Sequence, residues 1–326
     1  VMTRVFLTID TEYSSGLYTG PGSADRAENY TRSIACLTPE GPAGIPHKLE
    51  LLARHGQKAV FFVDPMPALV WGVAAIEDVV GPIVAAGQDV QLHCHTEWLE
   101  LAGAANPLRS RRTGKNIADF PFEDQCAILE YARRTLVAAG APVPVAFRAG
   151  NYGADDATLR ALAHIGITYD ASHCPALTDG VCRISLGPND RDPVLHEGVI
   201  EVPAGTIGTI SGGQRHAQIT ALTLAEMLAA IRHARDSGRE SFTLVSHSFE
   251  LINRRKLAVN RIVRRRFAGL VRSLATMRRI ETGNFRDNPP PLATPGNPSE
   301  PLPASTIRTG MRLAEQFVSN TLYGAL

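Results

Sequence analysis

Two carboxylates set the first chemical question. In LTIDTEYSSG, Leu7 to Gly16, Asp10 and Glu12 follow a short apolar run with one threonine between them. Alternate residues of a strand face the same way, so both acids can converge on one point. Turn capping is the competing reading, since Asp and Thr are common in turns. A second cluster stands in HCHTEW, His93 to Trp98. His93 and His95 share a face if a strand continues, whereas His93 and Glu97 share one if the chain turns into a helix. Either arrangement joins two metal-capable groups, and imidazole with carboxylate suits Zn2+ and other divalent ions. Cys94 then faces away and reads as core, while Trp98 reads as packing or as a pocket wall. Arg148 in AFRAGNYG can hold a catalytic carboxylate through a bidentate pair. His247 in LVSHSF stands where a general acid or base could reach the mouth of a sheet. Taken alone, a structural histidine bonded to a backbone carbonyl is its simpler reading.

The elements around these residues alternate. Strands are expected at Val5–Ile9, Ala59–Val63, Val90–Leu92, Val145–Phe147, Ile167–Tyr169, Val199–Val202 and Phe242–Val245. Helices are expected at Pro46–His55, Pro67–Ala86, Phe122–Ala139, Asp155–Ile165 and Thr223–Ser237. The run AVFFV is apolar throughout, as in a parallel strand buried on both faces. Such alternation predicts a parallel sheet with crossover helices, either a barrel or an open sheet. Asp10 and Glu12, His93 and His95, Arg148, Asp170 and His247 all follow strand ends, where β/α folds place their sites.

The C-terminal part reads differently. A basic amphipathic helix is expected over Asn253–Met277, with its RRK and RRR clusters on a solvent face; an anionic polymer, a membrane surface or a lipid phosphate is the functional alternative. Residues 284–303 carry a dense proline run and read as an extended linker. Residues 304–326 read as a last helix packing back on the body, which itself spans 1–283 and includes the basic helix of 254–279. Hydrophobic content of 44% with 20% charge excludes disorder, and a net charge of +1 points to no class of partner. Five irregularly spaced cysteines argue against a disulfide framework and for a reducing compartment, hence a cytoplasmic location. No motif for sequence-specific nucleic-acid reading accompanies the basic clusters.

The order TIDTE, QLHCHTEW, FRAGNYG, YDAS, LVSHSF resembles the five motif regions of the polysaccharide deacetylase superfamily, the NodB-homology group, over roughly residues 3–250. It is most similar to the divergent branch found near exopolysaccharide genes. The resemblance implies an irregular (β/α) barrel and a metal-dependent hydrolase that removes acetyl groups from N- or O-acylated sugars. By position, Asp10 matches the catalytic base, Arg148 the arginine that holds it, and His247 the catalytic acid. Glu12 and His93 match metal ligands, with His95 or Glu97 completing the set. Zn2+ is the first expectation, with Co2+, Mn2+ or Ni2+ as alternatives. Tyr152, Trp98 and Asp170 are the substrate-side candidates. Three features depart from the commonest pattern: Thr11 replaces the second aspartate, Glu97 stands where a second histidine is usual, and the third motif lacks a Pro-rich ending. A small amide or ureide hydrolase on the same fold, or a carbohydrate-binding member without metal, are the alternatives. The long stretch Tyr13–Gly44 exceeds a normal βα connection and is expected to wall a cleft, which favours a short glycan, a lipid-linked sugar or a small amide over a crystalline polymer.

Overall fold

The computed structural model describes residues 2–20, 25–108, 114–178, 180–293 and 298–324. The chain divides into two compact units: Val1–Ala59 with Gly205–Gly283 and Ser299–Leu326, and Val60–Ala204 with Asn284–Pro298.

The first unit is built on the strand Thr3–Thr11, whose VFLTI run is wholly buried. Ser241–His247 runs parallel to it, with Asp10 opposite His247 in register. Ile280–Thr282 pairs with its start. The helix Ile45–His55 ends at Gly56, where a left-handed φ of 62° lets the cap N–H reach back to Leu52 and Ala53. The helix Leu224–Asp236 opens on a reciprocal Thr223–Glu226 capping box. Both pack against a third helix, Arg261–Leu274. That third helix buries Val263, Phe267, Leu270, Val271 and Leu274 along one stripe.

The basic helix is shorter than the sequence pattern predicts. Asn260 caps it by accepting the N–H groups of Ile262 and Val263. Ahead of it, residues 254–257 turn a small hairpin between Ile252–Asn253 and Ala258–Val259. The cause is local: Asn253 Oδ1 accepts the backbone N–H of both Arg255 and Lys256, which competes with helix formation. The RRK cluster therefore sits on a loop. Arg266 is not on a solvent face either, since its guanidinium is buried on the carbonyls of Ile219 and Thr220. The last helix, Thr306–Tyr323, docks on this unit through Asn260 to Ser319 (2.9 Å), Arg312 to Glu226 (3.0 Å) and Asn253 to the Tyr323 carbonyl (2.8 Å).

Backbone crowding fixes the start of the helix Ile45–His55. A Cβ on Gly44 would stand 2.0 Å from the Ile34 carbonyl oxygen, a collision that no side-chain motion relieves. Gly44→Ala is expected to cost about 3 kcal/mol or more. Urea denaturation checks this, and an unchanged midpoint would contradict it.

In the second unit Val60–Val63, Asp89–Cys94, Ala146–Ala149, Tyr169–Asp170 and Val199–Glu201 lie parallel in that order, with Val194–His196 antiparallel at the edge. The expected Pro67–Ala86 helix is two, Ala68–Trp71 and Ala74–Ala85, because Gly72 takes a left-handed φ of 77° between them. Helices Phe122–Ala138 and Asp156–His164 complete the crossovers and pack on each other. The proline-rich stretch begins packed rather than extended: Phe285 is buried against Phe62 and Tyr169, and its N–H donates to Asp89 at 3.0 Å. Residues 294–297 of that stretch lie outside the described residues. No helix among the described residues is long and apolar enough to cross a membrane.

Candidate active-site residues

Asp10 closes the first strand, buried at 4% exposure, and Glu12 follows half-buried. The parallel register brings His247 beside Asp10, with Nε2 to Oδ2 at 3.8 Å. On its other side His247 Nδ1 stands 2.9 Å from Glu250 Oε1. The Gln218 side-chain amide also donates to that carboxylate. Burial by itself would pull the imidazole down, but the Glu250 charge and hydrogen bond, aided by Asp10 and Glu12, push it up to about 9. Glu250 shows the mirror effect: burial pushes it up, and His247 with Lys48 holds it at about 2. The ring of His247 is thus held by the Glu250 carboxylate rather than by a backbone carbonyl. Beneath it Lys48, buried and lowered to about 8 by desolvation against the pull of Glu250, donates to Ser246 Oγ and the His247 carbonyl. Neither Glu250 nor Lys48 is foreseen from the sequence. The signal for Glu250 is the spacing in HSFE, where a carboxylate three residues past a strand-end histidine can fold back onto it.

The second unit contains His93 and His95. His93, at 2% exposure, sets Nδ1 2.7 Å from the Arg148 carbonyl oxygen. A carbonyl only accepts, so Nδ1 carries the proton and Nε2 is the nitrogen a metal would take. His95 Nδ1 lies 3.2 Å from Glu97 Oε2, and Glu97 Oε1 takes the Asn151 amide at 3.4 Å. Burial raises the Glu97 carboxyl, yet the hydrogen bond and charge of His95 and the Asn151 contact bring it below the ordinary range. Glu97 is therefore turned toward His95 as its orienting carboxylate. The two imidazoles stand nearly perpendicular, centroids 4.9 Å apart, and present ring nitrogens within 4.8 Å of each other. Two imidazoles with Nδ1 beside an oxygen and ring nitrogens this close together suit a divalent ion such as Zn2+. Asp64, directly after the strand Val60–Val63, adds a buried carboxylate whose Oδ1 takes the Met66 N–H and faces the His95 N–H at 3.4 Å. Its position at a strand end is the signal that sequence reading passed over.

Gly150 keeps this geometry. A Cβ there would lie 2.7 Å from His95 Nδ1 and 2.8 Å from the Cys94 carbonyl. Gly150→Ala is expected to displace the His95 ring and weaken divalent-ion binding by about 10-fold or more, the scale set by loss of a partner that orients a ligand. Titration with Zn2+ or Co2+ measures it, and unchanged affinity would contradict it.

The substrate-side candidates fare unevenly. Trp98 has no exposed surface and packs on Trp71 at 5.4 Å, so it is core and not a sugar platform. Asp170 is sealed as well: it accepts from Ser172 Oγ at 2.8 Å and lies opposite Glu201 in register. Burial raises both acids, Glu201 the further because Asp170 adds its charge, so this pair keeps a proton. Tyr152 is half-exposed beside Asn151, both with φ of 57°. Arg148 is fully buried, its Nε donating to the Ala171 carbonyl at 3.0 Å and its guanidinium lying 4.5 Å over the Phe62 ring.

No protein-family profile matches the chain, and no curated protein matches it. Solved structures do. A Mycobacterium smegmatis protein described as a polysaccharide deacetylase is 17% identical, with 91% of this chain and 95% of that one covered at a TM-score of 0.52. Weaker likeness extends to a family 4 carbohydrate esterase from Streptomyces lividans in complex with acetate, 12% identical, covering 87% of this chain and 93% of that one at 0.41. A Bacillus anthracis protein called a CE4 family pseudoenzyme is 11% identical, covering 83% and 59% at 0.40. The chain has the NodB-type (β/α) fold of the polysaccharide deacetylases, mostly parallel strands with helices around them.

Proposed function

We propose that this chain is a metal-dependent hydrolase that removes an acetyl or similar acyl group from an N- or O-acylated sugar or short glycan. One observation carries the reading: His247 is held as an imidazolium between two acids, Asp10 and Glu250, at the end of the strand that pairs with the Asp10 strand. An acyl hydrolase needs such a poised acid and base together. Glu12, His93 and His95 are the proposed ligands, with Glu97 orienting His95. The ion, when bound, would polarise an acyl carbonyl and make water more acidic. Asp10 takes a proton from the attacking water, and Arg148 holds Asp10, a role assigned by the resemblance. His247 then gives its Nε2 proton to the departing amine or alkoxide, while Glu250 keeps Nδ1 protonated and the ring fixed. Backbone N–H groups around Tyr152 are the proposed donors to the developing oxyanion. Twin reactions decide between this reading and a small amide or ureide hydrolase. Acetate release from N- and O-acetylated sugars is the expected result. Ring opening of a cyclic ureide without acetate release would replace the reading with the other hydrolase, and neither reaction after Zn2+, Co2+ or Mn2+ loading would leave a binding protein.

A further inference from the structure

A cavity of about 920 Å3 opens against His247 within the first unit, and beyond His247 and Glu250 its wall carries charged groups that the acyl transfer does not use. Its volume falls within the ordinary range of small-molecule sites. The long stretch after the first strand builds one side, as expected, through Ser14, Leu17, Glu28 and Arg32. Arg32 stands in a π-helical turn, Thr31–Ala35, a distortion that is frequent at functional sites. The hairpin loop that replaces the start of the basic helix builds the other side and brings in Arg254 and Arg255.

The charges of this wall do not cancel. Arg32 is taken by Glu28 at 2.9 Å, and His247 by Glu250. Among the described residues neither Arg254 nor Arg255 has a carboxylate partner within ion-pair distance; burial lowers Arg254 and the charge of Glu12 partly offsets it. Arg254 is held instead by an aromatic plate: its guanidinium lies 3.8 Å over the Phe249 ring, whose centroid is 5.4 Å from that of His247. Cation–π stacking orients the planar fork without using its N–H donors. Arg32 Nη1 donates to the Arg254 carbonyl at 3.0 Å and fixes the backbone beneath it. A half-buried arginine, stacked and with its donors unspent on a carboxylate, is built for an anion.

We propose that Arg254, with Arg255 at the rim, recognises an anionic substituent on the acylated sugar, a phosphate or a carboxylate, one ring away from the catalytic imidazole. This rests on the hydrolase reading for the identity of the sugar, but its test reads binding and not turnover. Titration calorimetry would compare an N-acetylhexosamine 1-phosphate, an N-acetylated hexuronate and the neutral N-acetylhexosamine on the metal-loaded chain. At least one charged sugar is expected to bind about 10-fold more tightly than the neutral one, as a charge-assisted Arg pair gives. Whichever anion gains names the substituent. Arg254→Gln should erase that preference and leave the neutral sugar unchanged, while Arg254→Lys keeps part of it. Equal binding of all three sugars by the wild type would overturn the proposal, as would an Arg254→Gln variant that weakens all three alike. If that variant does not fold, Arg255→Gln and the wild-type comparison repeated in 0.5 M salt, at which screening within roughly 5 Å should remove the charged advantage, decide it. Acetate release, read separately, would still stand or fall on its own.

Discussion

Asp10→Asn is expected to lower acetate release by about 10²–10⁴-fold while the bound divalent ion stays at the wild-type level, the range that a positioned general base supplies. Asp10 is buried near the end of the first strand, and His247 stands opposite it in register, its Nε2 3.8 Å from Asp10 Oδ2. Asparagine keeps the shape and removes only the basic oxygen. A capping aspartate would tolerate this exchange well, because asparagine caps turns equally well. Metal content by elemental analysis and turnover on an acetylated sugar separate the readings. Near-full activity would remove Asp10 from the base position, and loss of the ion along with activity would make it a ligand.

Glu250→Gln should move the alkaline limb of the pH–rate profile toward acid and cost about 10-fold or more at pH 8, a factor of ten for each unit by which the acid's pKa falls below the assay pH. Against burial, Glu250 as the main anion pushes the wild-type imidazole up from its ordinary 6.5 to about 9. Without that charge, burial is opposed only by Asp10 and Glu12, and His247 loses its proton at lower pH. Activity near pH 6 is then expected to survive better than activity at pH 8. Stability follows the same pair. The His247 contribution is complete below about 6.5 and is lost as pH rises through about 9. The Glu250 contribution is complete above about 4.5 and is lost as pH falls through about 2. Melting temperature should therefore be highest between about 4.5 and 6.5 from this pair, and Glu250→Gln should flatten that maximum. A limb that does not move would mean that His247 is not the acid.

Much of this was legible in the sequence, for identifiable reasons. Uniform apolar runs such as AVFFV marked the buried parallel strands, and glycines marked where helices stop. The candidate residues were singled out because a parallel sheet collects side chains at strand ends. What stayed hidden depends on side chains that reach across turns. Asn253 and Asn260 shorten the basic helix through single hydrogen bonds that hydrophobic periodicity does not register. The spacing of Glu97 from His93 suits a helix, but the contact it makes is with His95, two residues away. Trp98 and Asp170 looked like substrate contacts because polar and aromatic residues near strand ends often are, yet both are sealed in the interior. Glu250 escaped because it lies beyond the last strand, in a turn whose direction the sequence does not state.

Divalent-ion titration of the wild type, Glu12→Gln, His93→Asn and the double variant tests the central proposal most directly, namely that Glu12, His93 and His95 serve one ion. The wild type should bind about one equivalent of Zn2+. Each single change should weaken binding by about 10-fold or more, and the double variant by clearly less than the product, because groups that share a ligand are not additive. Independent, multiplying effects, or a wild type that takes up no Zn2+, Co2+ or Mn2+ at all, would contradict the account.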